Sequence, residues 1–271
     1  MYYKRGFVWI AQNNTDTDYV ECSINLCRSI KSKCTHNQVA VITDKKTKVP
    51  AGIFDQVIVL EQDDSEHIEW KMNNEWKVFE LSPFTHTIKL EADMLFTKNT
   101  DWWWNHLEQH DMVFSFHCRD YQDNLITNSP YRKLFAKNYL PDVYNGLHYF
   151  RRSQRAFEFY KICKSITKNW NYVRDNILIG CHDTNPTTDV VYALAAKIQD
   201  PTQNSMIKFE WFNFIHGKNK LNPNTIKYDN LNNYLHPQII NGEVFLGGYR
   251  IDRIWHYHKK DLLKEINDRI L

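Results

Sequence analysis

Two carboxylates one residue apart, Glu91 and Asp93 in Lys89-Leu90-Glu91-Ala92-Asp93-Met94-Leu95, stand at the end of a strand-like run from His86 to Leu90. While the backbone stays extended, side chains at i and i+2 share a face, so both carboxylates can reach one hard divalent cation just beyond the strand. A cation held there suits a diphosphate. Acidic pairs at this spacing also occur on solvated strand ends, and the setting separates the two readings. The apolar run ahead of the pair fits a strand buried in a parallel sheet, and open α/β sheets bind ligands beyond the carboxyl ends of their strands.

The elements that must position the pair are visible on both sides of it. Phe7-Val8-Trp9-Ile10-Ala11 reads as a buried first strand, followed by the polar, turn-forming Gln12 to Asp16 with its helix-capping candidates. Val20, Ile24 and Cys27, extended by Ile30, then form the apolar stripe of a helix. Gln38–Thr43 reads as a second strand ending at Asp44, and Gln56–Leu60 as a third; β-branched runs alternating with helical patterns are the signature of βαβ units. Trp76–Leu81 is a short helix broken at Pro83, Thr87–Leu90 the fourth strand, and Asp111–Phe116 another. Cys118–Pro141 is long and polar, as a functional loop with a short helix would be. Leu147–Phe150 reads as a strand entered through Asn145-Gly146, leading into a helix over Ser153–Asn169. Further on come a helix over Asp189–Ile198 capped by Thr187 or Thr188, an aromatic strand Phe209–Ile215, a loop at His216–Lys220 and a last helix near Lys260–Leu271.

Composition narrows the classes. A chain of 271 residues with 42% hydrophobic residues fills a sizeable core, and 14% aromatic content favours flat stacking surfaces as well as packing. Trp102-Trp103-Trp104 point in three directions at helical spacing, which makes most of them core. No apolar run approaches the roughly 20 residues of a membrane span, and the N-terminus leads straight into a strand, so a soluble, non-secreted, cytoplasmic protein is expected. Six scattered cysteines without CxxC spacing argue against a zinc site or a disulfide framework. A net charge of +2 argues against a bulk nucleic-acid binder, yet Arg119 to Lys168 carries ten Lys/Arg against four Asp/Glu. That span suits a polyanion, or is the ordinary solvated face of the helix it contains.

Four stretches occur in a meaningful order: Ala11-Gln12-Asn13 with Asp18-Tyr19; Lys77 within Trp76–Leu81; Glu91-Ala92-Asp93; and His216-Gly217-Lys218-Asn219-Lys220. In them the chain resembles the retaining, glycogenin-like family eight of the GT-A glycosyltransferases. The resemblance implies a single α/β domain over 1–271 with a GT-A (Rossmann-like), mostly parallel central sheet flanked by helices and a C-terminal helical and loop extension. Residues 1–117 would form the nucleotide-binding half and 118–271 the acceptor half. It implies a UDP-sugar donor whose nucleotide base meets Ala11, Gln12, Asn13, Asp18 and Tyr19, and a Mn²⁺ or Mg²⁺ ion on Glu91 and Asp93 with His216 completing the shell. Lys218, Lys220 and Lys77 would meet phosphate oxygens. Charge grows on the departing diphosphate, which is why cation and lysines are needed there. The first carboxylate is Glu where the family has Asp, and the late motif lacks one residue between His and Gly and ends Lys-Leu.

Several residues keep two readings. Asp44 either accepts from the uracil N–H or opens a turn before Lys45-Lys46. Asp189 stands where the family places a polar residue beside the transferred sugar, a catalytic candidate, and equally suits the first turn of a helix. His256 and His258 are metal ligands, acceptor contacts, or simply a buried pair on a strand. In Lys89–Phe96, Asp142–Arg151, Pro186–Ala195 and Trp255–Asp261 the chain also resembles small GT-A proteins of T-even-like phages that glycosylate hydroxymethylcytosine in DNA. That resemblance implies an arabinosyl- or hexosyltransferase acting in the host cytoplasm, with DNA met through the basic span 119–168. Glycan, lipopolysaccharide and protein hydroxyls are the rival acceptors. A non-catalytic nucleotide- or nucleic-acid-binding module is the rival of another class.

Overall fold

The computed structural model describes residues 3–35, 37–126, 132–217, 237–257 and 260. Strand β1 (Tyr3–Ile10) is buried on both faces, as a central parallel strand must be: Phe7 and Trp9 join the core on one side of the sheet and Val8 the core on the other. Asp18 caps α1 (Tyr19–Lys33) by accepting from the Val20 and Glu21 amides, and the helix lays Cys22, Leu26, Cys27 and Ile30 on the Trp9 side. Then follow β2 (Gln38–Thr43), β3 (Gln56–Val59) and a 3₁₀ turn, Lys71–Lys77, running into α2 (Val78–Leu81). After Pro83 comes β4 (Phe84–Leu90), with Glu91 and Asp93 just past its end, then β5 (Met94–Leu95), α3 (Trp103–Leu107) and β6 (Met112–Phe116). The chain continues through α4 (Lys133–Lys137), β7 (Val143–Arg151), α5 (Gln154–Lys168) capped by Ser153, α6 (Trp170–Asn176) and α7 (Thr188–Gln199). It closes with β8 (Phe214–His216), β9 (Pro237–Ile240), β10 (Glu243–Leu246), β11 (Tyr249–Arg250) and β12 (Ile254–His256).

The main sheet has six strands in the order β3-β2-β1-β4-β7-β6. The first four are parallel, and β7 runs antiparallel between β4 and β6. This is the expected mostly parallel α/β sheet. Helices α5 and α7 cover one face, packing Phe159, Tyr160 and Tyr192 over Val8, Ile42, Phe84 and Phe150. A small second sheet, β5-β12-β8, pairs β12 antiparallel with β5 and parallel with β8. It brings Trp255 and His256 beside the Glu91-Ala92-Asp93 turn.

Two local expectations differ from the structure. Asn145-Gly146 does not lead into a strand but lies inside β7, whose pairing with β6 shifts register between Phe114 and Ser115. The aromatic run Phe209–Ile215 is a strand only from Phe214. Phe209, Trp211 and Phe212 instead pack as a ring cluster against Trp102 and Trp103, which a ladder of alternating side chains would prevent. Of the three tryptophans, Trp103 and Trp104 are buried and Trp102 is 41% exposed. The expected last helix lies outside the described residues apart from Lys260. Among the described residues no helix is long and apolar enough to cross a membrane.

Candidate active site

A cavity of about 330 Å³ opens at the carboxyl end of β4, lined by Tyr19, Glu75, Glu91, Asp93, Asp189 and His256 among others. The β4 strand delivers the two carboxylates, and β12 delivers the imidazole because His256 pairs with Met94 of β5, one residue after Asp93. The backbone closes this join: the Tyr257 amide donates to the Asp93 carbonyl at 3.1 Å. His256 Nε2 then lies 3.2 Å from Glu91 Oε2 and 3.1 Å from Asp93 Oδ2. One ligand atom from each of the three residues falls within 4.8 Å of the others.

Two hard carboxylate oxygens and one borderline imidazole nitrogen fit Mn²⁺ well and Mg²⁺ acceptably. The same place attracts positive charge within the protein, for the Lys260 ammonium contacts the Asp93 carboxylate. Burial lowers the Lys260 pKa, with electrostatic interaction with the Cys22 thiol and the Glu91 carboxylate opposing that shift. His216 lies beside the trio: its register partner across β8 and β12 is His256, and the two ring centroids are 4.6 Å apart. It lines the cavity, while the tight grouping of ligand atoms is made with His256.

Gly146 of β7 makes room for this arrangement. A Cβ there would stand 3.1 Å from Glu91 Oε2 and 3.0 Å from the Met94 methyl, tighter than side chains ordinarily pack. The adjacent Asn145 ties the floor together. Its amide donates to Asp189 Oδ1 at 2.7 Å, its side chain donates to Glu91 at 3.4 Å, and its carbonyl accepts from Lys89 Nζ at 3.2 Å. Asp189, in the first turn of α7, also faces Arg132 at 3.5 Å, and Arg132 in turn bonds Asp142 at 3.0 Å and lies over the Tyr144 ring. Tyr19 lines the same space, its pKa raised by burial and then by the Glu91 charge.

The remaining sequence candidates fall into two groups. Ala11, Gln12, Asn13, Asp18 and Asp44 gather in the loops after β1 and β2, where each already has an internal partner. The Ala11 amide donates to the Ile42 carbonyl, Gln12 bridges Asp44 and Asp63 while accepting from Asn74, and Asn13 and Asp18 cap α1. Asp44 accepts from the Lys46 and Thr47 amides at 2.8 and 2.7 Å, which is the turn-opening geometry. Burial would raise its pKa, but these bonds and the one from Gln12 outweigh it and hold the carboxyl below its ordinary range. Lys77 is not brought to the cavity. It is buried against the Gln62 carbonyl at 2.5 Å and Asp64 at 3.4 Å, because its place on the 3₁₀ turn points it toward the acidic loop between β3 and that turn. Lys218, Lys220 and His258 lie outside the described residues.

Sequence reasoning did not single out Glu75, Lys89, Asn145, Arg132 or Lys260. For Lys89 a signal was present: a lysine between Ile88 and Leu90, next to last in a strand that reads as buried, has to be answered by a buried anion.

The fold and the site together define the class: an α/β protein with the fold of a glycosyltransferase and a cation-ready acidic cluster at its ligand-binding end. Solved structures that share this fold include the apo form of mouse xyloside xylosyltransferase 1, with a TM-score of 0.54 and 8% identity over 95% of this chain and 98% of that one. At that identity the likeness shows the fold. No family model and no curated protein sequence matches the chain.

Proposed function

We propose that this chain is a metal-dependent glycosyltransferase that moves a sugar from a UDP-sugar to an acceptor hydroxyl, with retention of the anomeric configuration. The observation that carries the reading is the Glu91, Asp93 and His256 trio inside the cavity at the end of β4. Those three residues would hold Mn²⁺ or Mg²⁺, with His216 alongside. A divalent cation bound there offsets the charge that develops on a departing diphosphate. Around it the protein's own groups divide the work. Lys260 supplies a second positive charge at the phosphate end, Tyr19 a ring on the cavity wall, and Asp189 a carboxylate fixed by Asn145 and Arg132. Asn13, Asp18, Gln12 and Asp44 border the loops where the base would lie, and Lys218 and Lys220 are kept as phosphate contacts by their sequence motif.

For the acceptor we propose 5-hydroxymethylcytosine in DNA, receiving arabinose or a hexose. The support is the phage resemblance together with the basic span 119–168. The test is UDP release from a panel of UDP-sugars, with and without Mn²⁺, in the presence of hydroxymethylated or unmodified duplex DNA. Release that requires metal and rises only with hydroxymethylated DNA is the expected result. Metal-dependent release indifferent to DNA would retain the transferase and discard the acceptor, and no release from any donor would remove both. Proton NMR of early product reads the anomer directly, and an inverted product refutes retention.

A further inference from the structure

Glu75 sits in the cavity wall on the 3₁₀ turn, 7% exposed, and nothing in the sequence marked it. Its Oε2 lies 2.8 Å from Nζ of Lys89, a side chain on β4 with no exposure at all. Lys89 meets Glu75 as its ionic partner and the Asn145 carbonyl as its other acceptor. Placing an ammonium inside a sheet carries a large desolvation cost, and here it is answered by a carboxylate that opens on the cavity. The 3₁₀ turn is also anchored from below, since the Tyr192 hydroxyl donates to the Glu75 carbonyl at 3.4 Å.

The two metal-free carboxylates of the cavity are not equivalent. Both oxygens of Asp189 are engaged, one by the Asn145 amide and the other by Arg132. Glu75 uses only Oε2, and its other oxygen has no hydrogen-bond partner among the described residues. A carboxylate accepts hydrogen bonds and donates none, so what complements it is a ligand rich in hydroxyl donors, not a phosphate. The cavity is thereby sorted by charge. Its cation-ready end, with the trio and Lys260, suits the diphosphate, and the Glu75 side suits a neutral polyol.

We propose that Glu75 binds a hydroxyl of the donor's sugar through its open carboxylate oxygen, and that Lys89 is the positioning residue that holds it there. The assignment rests on the nucleotide-sugar reading above. It adds to that reading the residue that recognises the sugar as distinct from the nucleotide.

The experiment compares affinities by calorimetry with Mn²⁺ present: UDP against the UDP-sugar that the wild type turns over fastest. Glu75→Gln removes the charge, and the double variant Glu75→Gln with Lys89→Met removes it without leaving a buried ammonium uncompensated. Loss of a hydrogen bond to a charged group predicts a roughly 10- to 100-fold weaker hold on the UDP-sugar. UDP affinity should change less than about twofold, because the nucleotide does not touch this oxygen. The double variant, checked for native circular dichroism, should show the same selective loss. Equal weakening of UDP and UDP-sugar, or no weakening of either, overturns the role of Glu75 and leaves the transferase reading in place. Failure of the wild type to bind UDP or any UDP-sugar overturns that reading and this assignment together.

Discussion

Asp93 is the residue on which the site's nitrogen groups converge, since its carboxylate meets His256 at 3.1 Å and also the Lys260 ammonium. An ammonium and a divalent cation cannot share that oxygen without repulsion, and two unit charges about 4 Å apart at a protein surface interact by about 4 kcal/mol. If the site takes the proposed ion, Lys260 would compete with it for Asp93 until the diphosphate of a donor drew the lysine away. Opposite effects follow for two substitutions. Asp93→Asn should weaken Mn²⁺ binding in the absence of nucleotide by at least about tenfold and abolish metal-dependent UDP release, whereas Lys260→Met should tighten Mn²⁺ binding while weakening UDP. Electron paramagnetic resonance of free Mn²⁺ during titration reads both. If Lys260→Met weakens the metal as Asp93→Asn does, the lysine is organising the site and not competing for it.

At the scale of elements, the parallel strands and α1 were legible because their signals are local. Apolar runs bounded by turns located β1, β2, β3, β4 and β6 within a few residues, and the i, i+4, i+7 stripe located α1. The pairing of β12 with β5 was not legible, since nothing near Trp255-His256 announces that its neighbour lies more than 150 residues earlier. That pairing is what turns a carboxylate pair into a carboxylate–imidazole trio. Local signals can also serve structure where a site was expected: Asp18 is the α1 cap, accepting from two amides at 3.0 Å. Asp18→Ala should thus cost about 1 kcal/mol in urea unfolding, as cap removals do. A drop in UDP affinity beyond what that loss of stability explains would give Asp18 a direct contact as well. Gly146 is the converse case, a strand glycine whose reason lies in the site. Its backbone is not in the left-handed region, so Gly146→Ala meets no backbone strain, and its methyl presses on the movable ends of Met94 and Glu91. Mn²⁺ affinity should fall several-fold, and unchanged affinity would mean that Glu91 is free to move aside.

Over the whole molecule, the basic span that suggested a polyanionic partner is consumed in part by ion pairs of the fold. Arg119 pairs with Asp123, Arg132 with Asp142 and Asp189, Arg151 with Asp111, and Lys168 with Asp64. A count of charges along a chain cannot distinguish such internal pairs from a binding face, because three of the acids that answer them, Asp189, Asp111 and Asp64, come from elsewhere in sequence. Among the described residues, Lys133, Lys137, Lys161 and Lys164 have no carboxylate partner, and Lys164 lies over the Trp76 ring at 4.4 Å. Lys161 and Lys164 share a groove on α5 with Phe79 and Phe157, so basic and aromatic groups meet on one surface. If DNA is the acceptor and crosses this face, each lysine neutralised removes one phosphate contact. The slope of log K against log salt for duplex DNA should then become shallower by about 0.9 per lysine in Lys161→Gln with Lys164→Gln. Fluorescence anisotropy over a salt series measures it. The same pair of substitutions, far from the trio in sequence and absent from the cavity lining, should leave metal-dependent UDP release without DNA unchanged. An unaltered salt slope would move the acceptor to another face, and the four unpaired lysines would then be the solvated helix surface that their spacing equally allows.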